Sequence, residues 1–177
     1  MGKPFFTIGH STRTIEEFAE LLRESAMELL VDVRSMPRSR TNPQYNMEAL
    51  PDALAPWQIA YEHIAPLGGL RGRQKRTEPS PNTSWRVKSF QNYADYALTE
   101  AFAAGLAHLR RDGAERRCAI MCAEAVWWRC HRRIITDYLI AAGEEVFHIM
   151  GPGHVDAATL TPGAVVREDK CVIYPAT

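Results

Sequence analysis

Cys118-Ala119-Ile120-Met121-Cys122-Ala123-Glu124-Ala125-Val126-Trp127-Trp128-Arg129-Cys130-His131-Arg132 is the stretch on which the reading of this chain turns. It begins as an apolar run short enough for a buried strand. A polar turn follows, holding a carboxylate, two cysteines, a histidine and two arginines. Ile134, Ile135, Tyr138 and Leu139 then recur at the spacing of one helix face. The pattern predicts a helix over about 126–142, stopped by Gly143. Strand end, polar turn and helix start is where open α/β sheets bind ligands.

The same unit recurs outward from this stretch. Phe5-Phe6-Thr7-Ile8 reads as a strand that ends at Gly9-His10-Ser11. Thr14 and Glu17 form a capping box ahead of a helix whose apolar face is Ile15, Phe18, Leu21 and Leu22. Leu29-Leu30-Val31-Asp32-Val33 is a second strand, and its nearly continuous apolar character suits a parallel sheet covered on both faces. Arg34 to Arg40 leave it as a basic loop. Asn46 is placed to cap a short helix reaching about Leu54, limited by Pro51. Gln58-Ile59-Ala60-Tyr61 is a third strand, and a long loop runs from Pro66 to about Trp85. Phe90, Tyr93, Ala97, Ala101, Leu106 and Leu109 mark one long helix ending near Asp112-Gly113, and Glu145 to Ile149 form the last core strand. Alternating strands and helices imply a mainly parallel, doubly wound sheet with helices on both faces. We read residues 1–177 as one α/β domain, with a core over about 5–149 and a C-terminal extension over 150–177.

The 177 residues carry no net charge, with 46% hydrophobic and 24% charged residues. Bulk charge therefore points to neither nucleic acid nor membrane. No apolar run approaches membrane-spanning length, and the N-terminus lacks a signal-peptide pattern. The four cysteines are therefore expected as reduced thiols of a cytoplasmic protein.

In a parallel sheet all strand C-termini share one edge. The groups around His10 and Ser11, Asp32 and Arg34, and Cys122 and Glu124 should therefore meet in one crevice. His10 and His131 titrate near neutrality and suit acid/base work. Glu124 is a candidate catalytic carboxylate, in competition with simple stabilisation at a helix N-terminus. Asp32, nearly inside an apolar strand, needs a partner. It is either a catalytic group or half of an ion pair with Arg34. Ser11, Arg34 and Arg132 are candidates for holding an anion. Cys122 is a nucleophile if a cation or a helix terminus stabilises its thiolate; otherwise Cys122 and Cys130 are small buried groups. Together with His131 and His10 they could also ligate zinc, although C-x7-C-H is no standard spacing. Leu30 to Arg34 resembles a rhodanese strand. However, the sixth position after Cys122 is Trp128 and no glycine separates Cys122 from His131. The anion-wrapping loop of rhodaneses and cysteine phosphatases is missing. Arg71, Arg73, Lys75 and Arg76 form a basic cluster in the long loop, the alternative site for nucleic acid.

Taken together, Gly9-His10-Ser11, Val31-Asp32-Val33-Arg34 with Pro37, Leu67-Gly68-Gly69, Phe90-x-x-Tyr93, Cys122-Ala123-Glu124 and Cys130-His131-Arg132 resemble the DUF488 family of uncharacterised bacterial and archaeal proteins. The resemblance spans about residues 5–149. It implies a small Rossmann-like domain and a cytoplasmic location, and it adds Gly68, Gly69 and Tyr93 to the site. The expected function is hydrolytic or glycosidic cleavage of a phosphate-bearing, nucleotide-like small molecule without a cofactor. The alternatives are a nucleic-acid-binding module, and a metal or thiol sensor using Cys122 and Cys130.

Overall fold

The computed structural model describes residues 2–177. Its central sheet is built from β1 (Phe5–Gly9), β2 (Leu29–Asp32), β3 (Ala60–His63), β4 (Cys118–Cys122), β5 (Val146–Gly151) and β6 (His154–Ala157). The spatial order is β3-β2-β4-β1-β5-β6. The first five strands are parallel, and β6 returns antiparallel to β5 at the edge. This is the doubly wound, Rossmann-like arrangement that the alternation of elements implies.

Strand side chains alternate between two apolar layers. Phe5, Leu29, Val31, Cys118 and Ile120 face one layer. Phe6, Ile8, Leu30, Ala119 and Met121 face the other. The second layer is closed by α1 (Ile15–Glu24) and α2 (Leu50–Leu54), through Phe18, Leu22, Leu50 and Leu54. The first is closed by α3 (Lys88–Tyr96), α4 (Glu100–Glu115) and α5 (Arg132–Ala141), through Tyr93, Phe102, Leu109, Ile134, Ile135 and Leu139. The chain leaves β1 toward the α1 layer and β4 toward the α5 layer. Those two strands are sheet neighbours. Their connections diverge to opposite faces, and a crevice opens between their C-terminal ends.

Four local expectations need correction. The short helix starts at Leu50, not at an Asn46 cap, because Asn46 spends its side-chain oxygen on the Ser39 amide. The third strand starts at Ala60, because a 3-10 turn over Ala55–Trp57 ends with Gln58 in the left-handed region. The long helix is two helices. Leu98 and Thr99 turn back on Asp95 and Tyr96, and the Thr99 hydroxyl caps α4 by accepting the Phe102 amide. The helix expected from about 126 begins only at Arg132, and a single 3-10 turn (Trp127–Arg129) precedes it.

The C-terminal residues pack back on this core. A hairpin of β7 (Val165–Val166) and β8 (Val172–Ile173) leads Val172 and Tyr174 into the first apolar layer, where the Tyr174 hydroxyl donates to Asp137. Among the described residues, no helix is long and apolar enough to cross a membrane.

Candidate functional site

The crevice is built from the ends of β1, β2 and β4. Pairing continues past the strands: the His10 amide donates to the Cys122 carbonyl and the Ser11 amide to the Ala123 carbonyl. Gly9 makes this closeness feasible. A Cβ there would fall on the Glu124 carbonyl and lie 2.8 Å from Arg132 Nη1. The Glu124 and Ala125 carbonyls turn inward and accept from Arg132 Nη1 (2.9 Å) and Nη2 (3.3 Å). Carbonyls committed in this way cannot open a helix. That is why α5 starts late, and why the helix-terminus reading of Glu124 falls.

Arg132 is fully buried. Its hydrogen bonds go to those two carbonyls and to the Cys122 sulfur at 3.0 Å; none goes to a carboxylate, and its Nε has no partner. Burial, reinforced by Arg13, pulls its pKa down to about 9 against the pull of Glu124. Arg132 therefore stands behind the crevice and cannot grip a ligand there.

Cys122 and Cys130 are paired as a disulfide, with their Cα atoms 7.2 Å apart. This corrects the expectation of reduced thiols throughout; among the described residues Cys118 and Cys171 are the free cysteines. His131 flanks the pair. Its Nε2 donates to the Val33 carbonyl at 2.6 Å, which leaves Nδ1 as an acceptor 3.5 Å from Cys130 Sγ. Burial pushes its pKa down to about 4. The Arg132 amide, at the start of α5, also donates to Cys130 Sγ.

Asp32 and Arg34 form a buried bidentate pair, Nε to Oδ1 at 2.9 Å and Nη2 to Oδ2 at 2.7 Å. Tyr61 donates to Asp32 Oδ2, and the Tyr45 carbonyl accepts from Arg34 Nη2. The Asp32 carboxylate is thus fully engaged, 0% exposed, and holds Arg34 in place. Arg34 Nη1 points toward His10 Nε2 at 3.4 Å. His10 stacks on Tyr45 at 4.3 Å and is bonded through Nδ1 to the Ser11 carbonyl. Burial lowers its pKa, and Arg34 adds to this.

These groups surround a cavity of about 430 Å³. His10, Arg34, Gly69, Cys122, Glu124, Cys130 and His131 line it, as does Phe90, with Arg38 and Arg129 at the mouth. Asp32, Ser11, Gly68, Tyr93 and Arg132 do not. Gly68 and Gly69 let the 68–70 loop press against its neighbours, since a Cβ on Gly69 would land on the His131 ring. Tyr93 is buried and donates to the Leu67 carbonyl, fixing that loop. Tyr45, Tyr61, Ser35 and Phe90 escape sequence reasoning as site residues. Only Ser35, next to Arg34 at a strand end, carries a local signal.

Other candidates lie elsewhere. Arg71 packs 3.9 Å over the Tyr96 ring and donates to the Gly68 and Ala65 carbonyls, which leaves Arg73, Lys75 and Arg76 as the exposed part of the basic cluster. Trp127 stacks on His148 and does not cover the crevice floor. For zinc, Cys122, Cys130 and His131 Nδ1 are near one another, but His10 turns its Nε2 to Arg34. The Arg132 guanidinium beside Cys122 also opposes a second cation there. Glu62, His108 and Asp112 bring ligand atoms within 4.8 Å of one another on β3 and α4, outside the crevice.

Comparison with curated proteins finds no match, and neither does comparison with solved structures. Comparison with known families finds one, described as domain of unknown function DUF488, over residues 14–139. That span takes in Arg34, the Gly68-Gly69 loop and the whole Cys122 to Arg132 wall, and the chain belongs to the DUF488 family.

Proposed function

We propose that the crevice is the active site of a cofactor-independent enzyme that hydrolytically cleaves a small phosphate-bearing, nucleotide-like substrate, with Cys122 as nucleophile. The observation that carries this reading is the fully buried Arg132 guanidinium, which meets the Cys122 sulfur at 3.0 Å in place of a carboxylate. A buried cation needs an anion nearby. A thiolate meets that need, and the thiolate is the reactive form of cysteine.

The remaining groups fit this assignment. Arg34 Nη1, which the Asp32 pair leaves facing only the His10 ring, and Arg129 make the cavity attractive to phosphate, while Arg38 on the same lining is paired with Glu48. Phe90 offers an apolar plane for a base. Glu124 is exposed at the rim, where it can protonate a leaving group and then take the proton of the water that releases the sulfur adduct. His10, its pKa lowered by burial, turns its Nε2 acceptor to Arg34 Nη1 and so helps to orient that guanidinium. Asp32 serves as a positioning residue for Arg34.

The test is turnover of a panel of nucleoside phosphates and sugar phosphates, with products separated by chromatography. Cys122→Ser should cost about a thousandfold or more in kcat, and Glu124→Gln about a hundredfold. Arg34→Gln should weaken binding of the phosphate-bearing compound. Full turnover in folded Cys122→Ser and Cys122→Ala would rule out the nucleophile.

A further inference from the structure

Beside Cys122 stands a second sulfur that hydrolysis does not require. Cys130 sits in a different chemical setting from its partner. Cys122 faces a full positive charge, the Arg132 guanidinium at 3.0 Å. Cys130 faces a neutral imidazole, because His131 has its pKa held at about 4 by burial. His131 Nε2–H is committed to the Val33 carbonyl, so its Nδ1 can only accept, and at 3.5 Å from Cys130 Sγ it is placed to accept the thiol proton of the reduced residue. The two sulfurs are joined in the structure and both line the cavity, and once reduced they face different charges.

We propose that Cys122 and Cys130 form a peroxide-reactive dithiol, in which Cys122 is the oxidised residue and Cys130 the resolving one. The inference rests on the proposed reading only in taking Cys122 as a thiolate. A hydroperoxide enters the cavity, and the Cys122 sulfur attacks its distal oxygen. The O–O bond breaks and an S–O bond forms. The sulfur loses two electrons, and the peroxide leaves as alcohol or water after taking a proton. Cys130 then attacks the Cys122 sulfenic acid. The S–S bond forms, the S–O bond breaks, and the hydroxide leaves as water with the Cys130 proton. Two equivalents of a small thiol return the pair to the dithiol and leave as their own disulfide.

The cycle bears on the hydrolytic site, because both sulfurs line the same cavity as Glu124 and Arg129. Peroxide would switch off hydrolysis by consuming its nucleophile. Cys118, buried at the start of β4 with its thiol pushed up to about 12, takes no part.

The experiment treats fully reduced full-length protein with one equivalent of hydrogen peroxide or cumene hydroperoxide and reads intact mass and peptide maps. Wild type should lose two hydrogens, mapped to Cys122–Cys130, and regain them with glutathione. Cys130→Ser should instead accumulate a sulfenic acid at Cys122, trapped by dimedone. Cys122→Ser should react at least about tenfold more slowly than wild type. The proposal is overturned if wild type stays reduced, if Cys171 oxidises first, or if Cys130→Ser and Cys122→Ser behave alike. Mass is read without substrate, so the two proposals fail separately. Oxidation without nucleotide turnover leaves the dithiol and removes the hydrolase; turnover lost in Cys122→Ser without oxidation does the reverse.

Discussion

Arg132 Nη1 donates to the Cys122 sulfur across 3.0 Å, while the other hydrogen bonds of the same guanidinium go to backbone carbonyls. The arginine therefore folds the 123–131 wall and sets its positive charge against the sulfur in front of it. Separating the two predicts distinct outcomes for two substitutions. Arg132→Met removes the charge but keeps most of the volume. It should slow iodoacetamide alkylation of Cys122 by about tenfold or more, since a hydrogen bond to a charged group is worth roughly 1.5–3 kcal/mol. It should also cost about 1–3 kcal/mol for each buried carbonyl left unpaired. Arg132→Lys keeps the charge and loses the fork, so reactivity should fall less than stability does. Alkylation followed by mass spectrometry, beside urea unfolding, reads both. Undiminished alkylation in folded Arg132→Met would sink the charged-sulfur assignment.

Buried histidines set an acid limit on the fold. Burial pushes His131 and His148 down to about 4, and lowers His10 as well. A histidine kept neutral in the native state binds its proton first in the unfolded chain, whose imidazoles titrate near about 6.5. Stability should therefore be greatest above about pH 6.5 and fall from there toward pH 4 as the unfolded chain gains protons. Below about 4 these groups add no further slope. Urea midpoints measured across that window check it. His148→Asn, which still pairs with Thr7 but does not titrate, should flatten part of the slope.

What could be read in the chain was whatever local chemistry writes there. The Thr14 and Glu17 capping box acts within one turn and is found as expected. The strand ends at Gly9, Asp32 and Cys122 follow from apolar runs meeting polar residues, and the parallel topology then forces them together. The α5 boundary is invisible for the opposite reason. It depends on Arg132 capturing the Glu124 and Ala125 carbonyls, a contact that exists only once the wall has folded. Tyr45 likewise supports His10 by stacking and Arg34 by its carbonyl from distant positions, and nothing around it in sequence marks either task. Thr99 is a different case. Its capping chemistry is local, but the apolar spacing from Phe90 to Leu109 continues across it and conceals the break.

The Asp32–Arg34 pair should behave as a buried ion pair, not as a surface one. Asp32→Asn strands a guanidinium that is 6% exposed, so a cost of about 3–5 kcal/mol is expected. Tyr61→Phe removes a single hydrogen bond to Asp32 and should cost about 1 kcal/mol. Denaturant unfolding of both variants tests the ranking. A loss in Asp32→Asn no larger than in Tyr61→Phe would contradict the pairing as drawn.

Gly69 offers the cleanest handle on His131. A Cβ at this position would land on the imidazole ring, which must tilt or slide. The ring cannot do so and keep both contacts, because Nε2 is tied to the Val33 carbonyl and Nδ1 faces Cys130. Overpacking of this kind typically costs about 1–3 kcal/mol. Gly69→Ala should therefore lower stability by that amount and, more tellingly, loosen the imidazole. Side-chain nitrogen NMR of the reduced protein should show the Nε2–H form of His131 persisting well below pH 6 in wild type. In Gly69→Ala the ring should titrate closer to an ordinary histidine, and Cys130 should exchange with a small disulfide faster. A His131 titration unchanged by the added methyl would mean that the loop, not the ring, yields, and would detach Gly69 from the thiol pair.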